Sequence, residues 1–315
     1  MSESRRVPIE FAPLEGITDG IFRRTHHACF AGVERYFIPF VCPTQHLTFN
    51  SREQRALSPE ENAGVPVVAQ VLTKNPEHFL WMANALSDVG YRELNLNLGC
   101  PSGTVTAKGK GAAMLRDPDG LRRFLDTIFA GTPIPVSVKT RIGWEDPGEW
   151  PGIRAVLLQY PFCEVIVHPR TRGEFYEGKA HREACEGMPD GLSWTYNGDL
   201  RTVDDCLKLT ARFPGASRLM IGRGLVANPA LAQEWAGGEA LTLASLRAFH
   251  DRLFAGYMER WPGNAVTGHM REIMRHILTN LEVPPKLEKA LRKANRADDY
   301  ESAARAIFDC AVLKI

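Results

Sequence analysis

The chain has 315 residues, 44% hydrophobic and 24% charged, with a formal net charge of +1. That length supports a sizeable core and more than one small domain, and the balanced charge neither proposes nor excludes a nucleic-acid partner. The seven cysteines, at 29, 42, 100, 163, 185, 206 and 310, form no CxxC pair and are odd in number, which argues against a disulfide framework and a structural zinc site. The N-terminal MSESRRVPIEF lacks the apolar run of a signal peptide, and no apolar stretch is long enough to span a membrane. A cytoplasmic setting without a metal is expected.

In chain order, short apolar runs bounded by turn residues predict strands. They begin with IEFAPLEG (9–16), RYFIPFV (35–41) and VPVVAQVL (65–72). A helix is then predicted over PEHFLWMANALSDVG (76–90), opened by Asn75-Pro76 and stopped at Gly90. ELNLNLGC (93–100), a helix over DPDGLRRFLDTIFAG (117–131), PVSVKTRIG (135–143) and EVIVHPRT (164–171) follow. The stretch REACEGMPDGL before the next strand is too short for a clear crossover helix. SWTYNGD (193–199), a helix over VDDCLKLTARFPG (203–215) and RLMIGRG (218–224) complete the series. Eight strands alternating with helices predict an α/β fold, a (β/α)8 TIM barrel. The open doubly wound sheet is the alternative, and no GxGxxG follows the first strand to support it.

Beyond residue 235 no strand-like run recurs. Four helices are predicted over 241–261, 268–281, 286–295 and 298–313, separated by Asn-Ala-Val-Thr and Val-Pro-Pro segments. The expected organisation is a catalytic barrel over 1–235 and a small C-terminal helical domain over 236–315.

In a (β/α)8 barrel the site lies at the C-terminal ends of the strands. There the sequence delivers Pro13, Leu14 and Glu15; Gln70; Asn95, Asn97 and Cys100; Lys139 and Arg141; His168 and Arg170; Asn197, Gly198 and Asp199; and Gly222, Arg223 and Gly224. A single strand-end Asn or Gln is ordinarily a hydrogen-bond plug; this crowding at one rim points to a site. Asn-Gly-Asp and Gly-Arg-Gly after the last two strands match the usual phosphate site of the fold, against the plainer reading of two tight turns. Lys139, inside an apolar strand, is a Schiff-base lysine, a cation over a cofactor ring or phosphate, or a salt-bridged core residue. Cys100, in NLGCPSGTVTAKGKGAAMLRDP, is open to four roles: nucleophile, metal ligand, acid or turn residue. The Gly, Ala and Lys run after it is expected to be a mobile loop.

Taken in order, APLEGITDGIFR, VAQVL, LNLGCPSGTVTAKGKGAAMLRDP, VSVKTRIGW, VIVHPRT, YNGDL and LMIGRGLVANP resemble the tRNA-dihydrouridine synthases, from about residue 11 to 230. The resemblance implies FMN at the barrel mouth, NADPH as its reductant, hydride transfer to C6 of a uridine and proton donation to C5 by Cys100. Carried over by motif, Pro13, Leu14 and Glu15 would line the flavin. Gln70, Lys139 and His168 would contact it. Asn197, Gly198, Asp199, Gly222 and Arg223 would hold its ribityl and phosphate. Asn97 and Arg141 would lie near the uridine. The base must leave its stack to be reduced, so tRNA is the implied partner, held by Lys108, Lys110 and Arg170 on the barrel and by Arg271 and Arg275 in a basic stretch of the helical region. The alternative for that stretch is a solvated helix face. GCPSGTV and SVKTRIGW lean toward the bacterial C-type branch, which acts on the tRNA D-loop, and a monomer is expected. The rival functions are an FMN barrel acting on a small molecule, the same chemistry on ribosomal RNA, and a non-enzymatic RNA-binding barrel.

Overall fold

The computed structural model describes residues 6–314; the first five residues and Ile315, at the ends of the two expected domains, lie outside the described residues. Eight parallel strands close in chain order: β1 (Ile9–Phe11), β2 (Val33–Val41), β3 (Val67–Val71), β4 (Leu94–Leu98), β5 (Val136–Arg141), β6 (Glu164–His168), β7 (Trp194–Tyr196) and β8 (Arg218–Ile221). Phe11 pairs with Ile221 to seal the ring. Every predicted run contains a strand, and most strands stop short of the predicted end. After β1 the last ladder bond is Ala12 N–H to the Ile221 carbonyl, and Pro13 has no N–H to continue it. The residues cut from the strands form the rim.

The helices are α1 (Gly20–Cys29), α2 (Ser51–Leu57), α3 (Pro76–Asp88), α4 (Gly103–Thr106), α5 (Pro118–Gly131), α6 (Trp150–Leu157), α7 (Val203–Arg212), α8 (Arg223–Ala227) and α9 (Leu231–Trp235), then α10 (Leu243–Met258), α11 (Gly263–Ile277), α12 (Pro285–Lys293) and α13 (Ala297–Cys310). Between β6 and β7 there is only the 3-10 turn Arg182–Cys185. Two expectations for the C-terminal region are corrected. Asn264–Thr267, expected as a linker, is the first turn of α11, because Val266 and Met270 are four apart and both buried. A two-stranded antiparallel ribbon, Leu281–Glu282 with Val312–Leu313, also closes this region; strands of two residues leave no periodic signal. The core continues across residue 235: Phe249 of α10 packs edge-on against Phe22 and Phe30, at 5.7 and 5.5 Å between ring centroids. No helix among the described residues is long and apolar enough to cross a membrane.

Alternate residues of each strand point into the barrel, and their chemistry is layered. Ala12, Phe37, Val68, Ile166 and Met220 form a buried apolar cluster in the middle. Below it, at the N-terminal end, Arg35 binds Glu10 and Glu93 at 2.5 Å each and also Glu164. Arg218 lies 3.6 Å from Glu10 and 3.8 Å from Glu164. Above, Gln70, Asn95, Asn97 and Ser137 form one hydrogen-bonded chain.

Burial, followed by repulsion from Glu164, pushes the Glu10 carboxyl up to about 8 against the pull of Arg35. A carboxyl raised in the folded state adds stability that is complete below its unfolded pKa and is lost as the pH climbs to the folded value. Glu10→Gln, a neutral isostere, is therefore expected to flatten the fall in melting temperature between about pH 4.5 and about pH 8. An unchanged slope in a melting series would show that Glu10 is ionised throughout.

Candidate active site

The Cys100 turn is built by β4. Asn97 donates to Gln70 (2.7 Å), while its own Oδ1 accepts the N–H groups of Gly99 (3.0 Å) and Cys100 (2.9 Å). A buried strand residue thus fixes the start of the loop. The loop then returns: Ala112 N–H donates to the Cys100 carbonyl, and the 3-10 segment Gly111–Arg116 buries Ala112 and Leu115. This corrects the expected mobile loop, since its second half is core. Gly111 has φ +61°, and a Cβ there would sit 3.0 Å from the Cys100 carbonyl oxygen and 3.1 Å from the Cys100 Cβ. Burial pushes the Cys100 thiol up from its ordinary value, so at neutral pH the sulfur keeps its proton.

Arg141 joins this loop to the one after β6. It is 1% exposed and donates to the carbonyls of Gly99 (2.9 Å), Thr171 (2.6 Å) and Phe175 (2.6 Å). Beside it, Lys139 is half-buried by surface area, and among the described residues its ammonium has no recorded hydrogen-bond or ion-pair partner. Burial and the Arg141 charge lower it to about 7.

Pro13, Leu14, Lys139, His168, Asn197, Gly198, Asp199, Gly222 and Arg223 line one cavity at the mouth. Asn197 donates to the Met220 carbonyl, which ties the ends of β7 and β8. Arg223 opens α8, where the first N–H groups have no intrahelical acceptor. Gly224 lies so close to Leu200 that an added Cβ would be 2.2 Å from its carbonyl oxygen. Asp199 is held by Arg223 (3.1 Å) and Arg170. Arg170 also donates to His168 Nε2 at 3.3 Å. That contact makes Nε2 the acceptor and leaves the ring proton on Nδ1. Burial and the surrounding cations hold His168 neutral.

The remaining predicted residues fall elsewhere. Gln70 is 1% exposed, bonded to Asn95 and Asn97, beneath the cavity. Glu15 turns away to an ion pair with Arg52 (2.7 Å) and lines a neighbouring cleft. Arg170, 1% exposed, donates to the carbonyls of Glu177 (3.0 Å) and Gly178 (2.7 Å), so the structure offers it to Asp199 and not to an outside phosphate. Lys108 is exposed and Lys110 half-buried beside Cys42. Arg271 and Arg275 line a separate cleft on α11 and α12 with Lys289 and Arg292.

Sequence reasoning missed Tyr176. Its ring stacks on His168 at 5.9 Å and lies under both Arg141 (5.2 Å) and Arg223 (5.0 Å). The available signal was an aromatic pair, Phe175-Tyr176, between Gly173 and Gly178 in a crossover too short for a clear helix. Arg201 at the cavity wall was also missed. Among the described residues no group of three or more His, Cys, Asp or Glu is placed to hold a metal ion.

A family profile described as "Dihydrouridine synthase (Dus)" matches residues 10–311. A Staphylococcus epidermidis protein named "Probable tRNA-dihydrouridine synthase" is 31% identical over 266 residues, covering 78% of this chain and 77% of that protein. A Bacillus subtilis protein named "Probable tRNA-dihydrouridine synthase 2" is 32% identical over 249 residues, covering 71% of this chain and 72% of that protein. Among solved structures, a variant of NCR from Zymomonas mobilis superposes with a TM-score of 0.51 at 12% identity, covering 75% of this chain and 88% of that one, which shows the shared barrel fold.

The crowding at Gly111 yields a test. Gly111→Ala is expected to destabilise the chain by about 1–3 kcal/mol, because a side chain is forced into the left-handed region against the Cys100 turn. It should also change the alkylation rate of Cys100, read by mass spectrometry at that residue. A neutral melt with unchanged alkylation would show that the turn does not depend on this glycine.

Proposed function

Because the chain belongs to the dihydrouridine synthase family, we propose that it reduces the C5=C6 bond of a uridine in tRNA to 5,6-dihydrouridine, with FMN at the barrel mouth and NADPH as reductant. The observation that carries this reading is a thiol that burial keeps protonated, Cys100, near a half-buried amine without a partner among the described residues, Lys139, at one end of the barrel.

The charges and the polar groups that line the mouth suit the anionic end of a flavin nucleotide. Lys139, Arg141, Arg170 and Arg223 are gathered around His168, and one carboxylate, Asp199, pairs with only two of them, so an anionic ligand is favoured there. Arg223, the first turn of α8 and the Gly198 loop would hold the phosphate. Lys139 and the Nδ1–H of His168 would face the ring system, and Pro13 and Leu14 would floor it. Once bound and reduced, the flavin supplies the hydride that adds to C6. Cys100 Sγ–H then gives its proton to C5, and the thiol regains a proton from solvent before the next turnover. The raised pKa suits this role: a nucleophilic cysteine would need a base to ionise it, whereas this one is kept neutral. Arg141 positions the acid by fixing the Gly99 carbonyl.

RNA is favoured over a small-molecule substrate by the cleft lined by Arg271, Arg275, Lys289 and Arg292, and by Lys108 at the edge of the Cys100 loop. The tRNA D-loop is the proposed target, on the GCPSGTV and SVKTRIGW segments.

Two outcomes test this reading. Cys100→Ala is expected to keep the flavin spectrum and RNA affinity while dihydrouridine formation falls by roughly 100-fold or more; wild-type turnover, read by mass spectrometry of digested tRNA, would remove the acid role. Lys139 sits near 7 without a ligand, and an anion beside it raises that value, so FMN binding takes up a proton. Affinity should therefore fall as pH rises above about 7, and Lys139→Met should abolish that dependence in a fluorescence titration. A parallel decline in the variant would assign the effect elsewhere.

A further inference from the structure

A second cavity, about 410 Å³, lies where the barrel meets the helical region. Its size is that of a ligand pocket. One wall comes from the loop after β1, with Gly16 and Asp19, and the end of β2, with Phe40; the other comes from α11 and the turn before it, with Trp261 and His269. Glu15 stands at its edge, one residue from Leu14 of the mouth cavity, so the two cavities share a rim.

The polar groups here are incompletely used. Asp19 spends Oδ1 on the Phe22 N–H (3.0 Å) and on the Tyr257 hydroxyl (2.9 Å). Its Oδ2 lies 3.9 Å from His269 Nε2, too far for a hydrogen bond. That Nε2 is buried and has no partner. Burial keeps the imidazole neutral. His269 is held edge-on by Tyr257 (4.4 Å between ring centroids) and Trp261 (5.0 Å). A carboxylate acceptor and an unsatisfied, buried imidazole nitrogen therefore lie 3.9 Å apart beside an indole at the wall of this cavity. A buried polar atom without a partner is costly, which makes an occupant with matching groups favourable.

We propose that this cavity receives a second unpaired nucleobase of the RNA, a neighbour of the uridine that is reduced. A base edge presents an N–H next to a ring nitrogen or carbonyl; the N–H donates to Asp19 Oδ2 and the acceptor accepts a hydrogen bond from His269 Nε2–H, while the ring stacks on Trp261. At the entrance Arg52 and Arg260 are paired with Glu15 (2.7 Å) and Glu61 (2.6 Å), which leaves Arg55 to meet a flanking phosphate. Arg55 has no recorded ion pair among the described residues. The same helix, α11, carries His269 at this cavity and Arg271 and Arg275 at the basic cleft. The inference rests on the reading of the substrate as RNA.

Asp19→Asn is the discriminating variant. Asn remains a good N-cap for α1 and still accepts from Phe22 and Tyr257, but it turns the free acceptor into a donor. The expected result is a KM for tRNA raised on the order of tenfold, with little change in kcat or melting temperature. The partner base is found by scanning abasic nucleotides around the target uridine. One abasic position should weaken wild-type binding and add nothing in Asp19→Asn. Trp261→Leu should raise KM on the same position. An unchanged KM in Asp19→Asn overturns the proposal, as does the absence of any abasic position that is silent in the variant. A defect confined to flavin reduction by NADPH also overturns it, because the cavity would then serve the reductant. Dihydrouridine formation by the wild-type chain on the same RNA reports on the proposed function separately.

Discussion

Closure of eight parallel strands forces every second side chain of each strand into one narrow interior, and the rest of the molecule follows from how that interior is filled. The inward positions step up each strand in a fixed order. β6 delivers Glu164, Ile166 and His168; β8 delivers Arg218, Met220 and Gly222; β1 delivers Glu10, Ala12 and then Leu14 beyond its end. An ion-paired base, an apolar middle and a polar top are therefore three heights of the same strands. The ionic base closes the N-terminal end, with Arg35 answering three carboxylates. A buried carboxylate is tolerable only with such partners. The apolar layer above it keeps that charge away from the chemistry at the opposite end.

At the top the electrical balance is reversed. Lys139, Arg141, Arg170 and Arg223 cluster around His168 at the mouth, and the carboxylate of Asp199 pairs with two of them. Two of the arginines are consumed by structure: Arg141 by three loop carbonyls, Arg170 by two carbonyls and Asp199. Lys139 is left over. This arrangement separates two demands on cations, rigidity and ligand binding, and assigns them to different side chains. It also explains why Cys100 stays a thiol here. Burial disfavours its anion more than the nearby Arg141 and Lys139 stabilise it.

The alternation of apolar runs and helices made the barrel legible, because doubly buried strands leave a strong pattern. The rim residues were legible for a related reason: Lys139, His168 and Asn197 stand out against the apolar strands that carry them. What could not be read was commitment. Gln70, Asn97 and Arg170 look like site residues in the sequence, yet their donors and acceptors are used within the fold. Only three-dimensional partners distinguish such a plug or brace from a free ligand. Tyr176 escaped because it lies on a loop whose shape is set by Arg141 and Arg170, residues several positions away, and loops carry no periodic signal. The layered ionic base was hidden as well, since Glu10 and Arg35 sit at strand beginnings, where a charge reads as solvent-facing.

The helical region is best understood through α11. Its middle residues, Met270, Ile273 and Met274, are buried against the rest of the fold, which fixes its axis. Along that axis His269 lies near Asp19 of the first barrel loop, and the helix also packs on α8 after β8, which carries Arg223. A single rigid element therefore connects the rim at the two ends of the chain's barrel. Its polar face continues outward to Arg271 and Arg275. A helix fixed in this way sets the distance between the mouth and the basic cleft. The spacing of the proposed RNA contacts is then a property of the shared core and not of a flexible tether, and a change in the packing of α10 on α1 would be felt at the mouth.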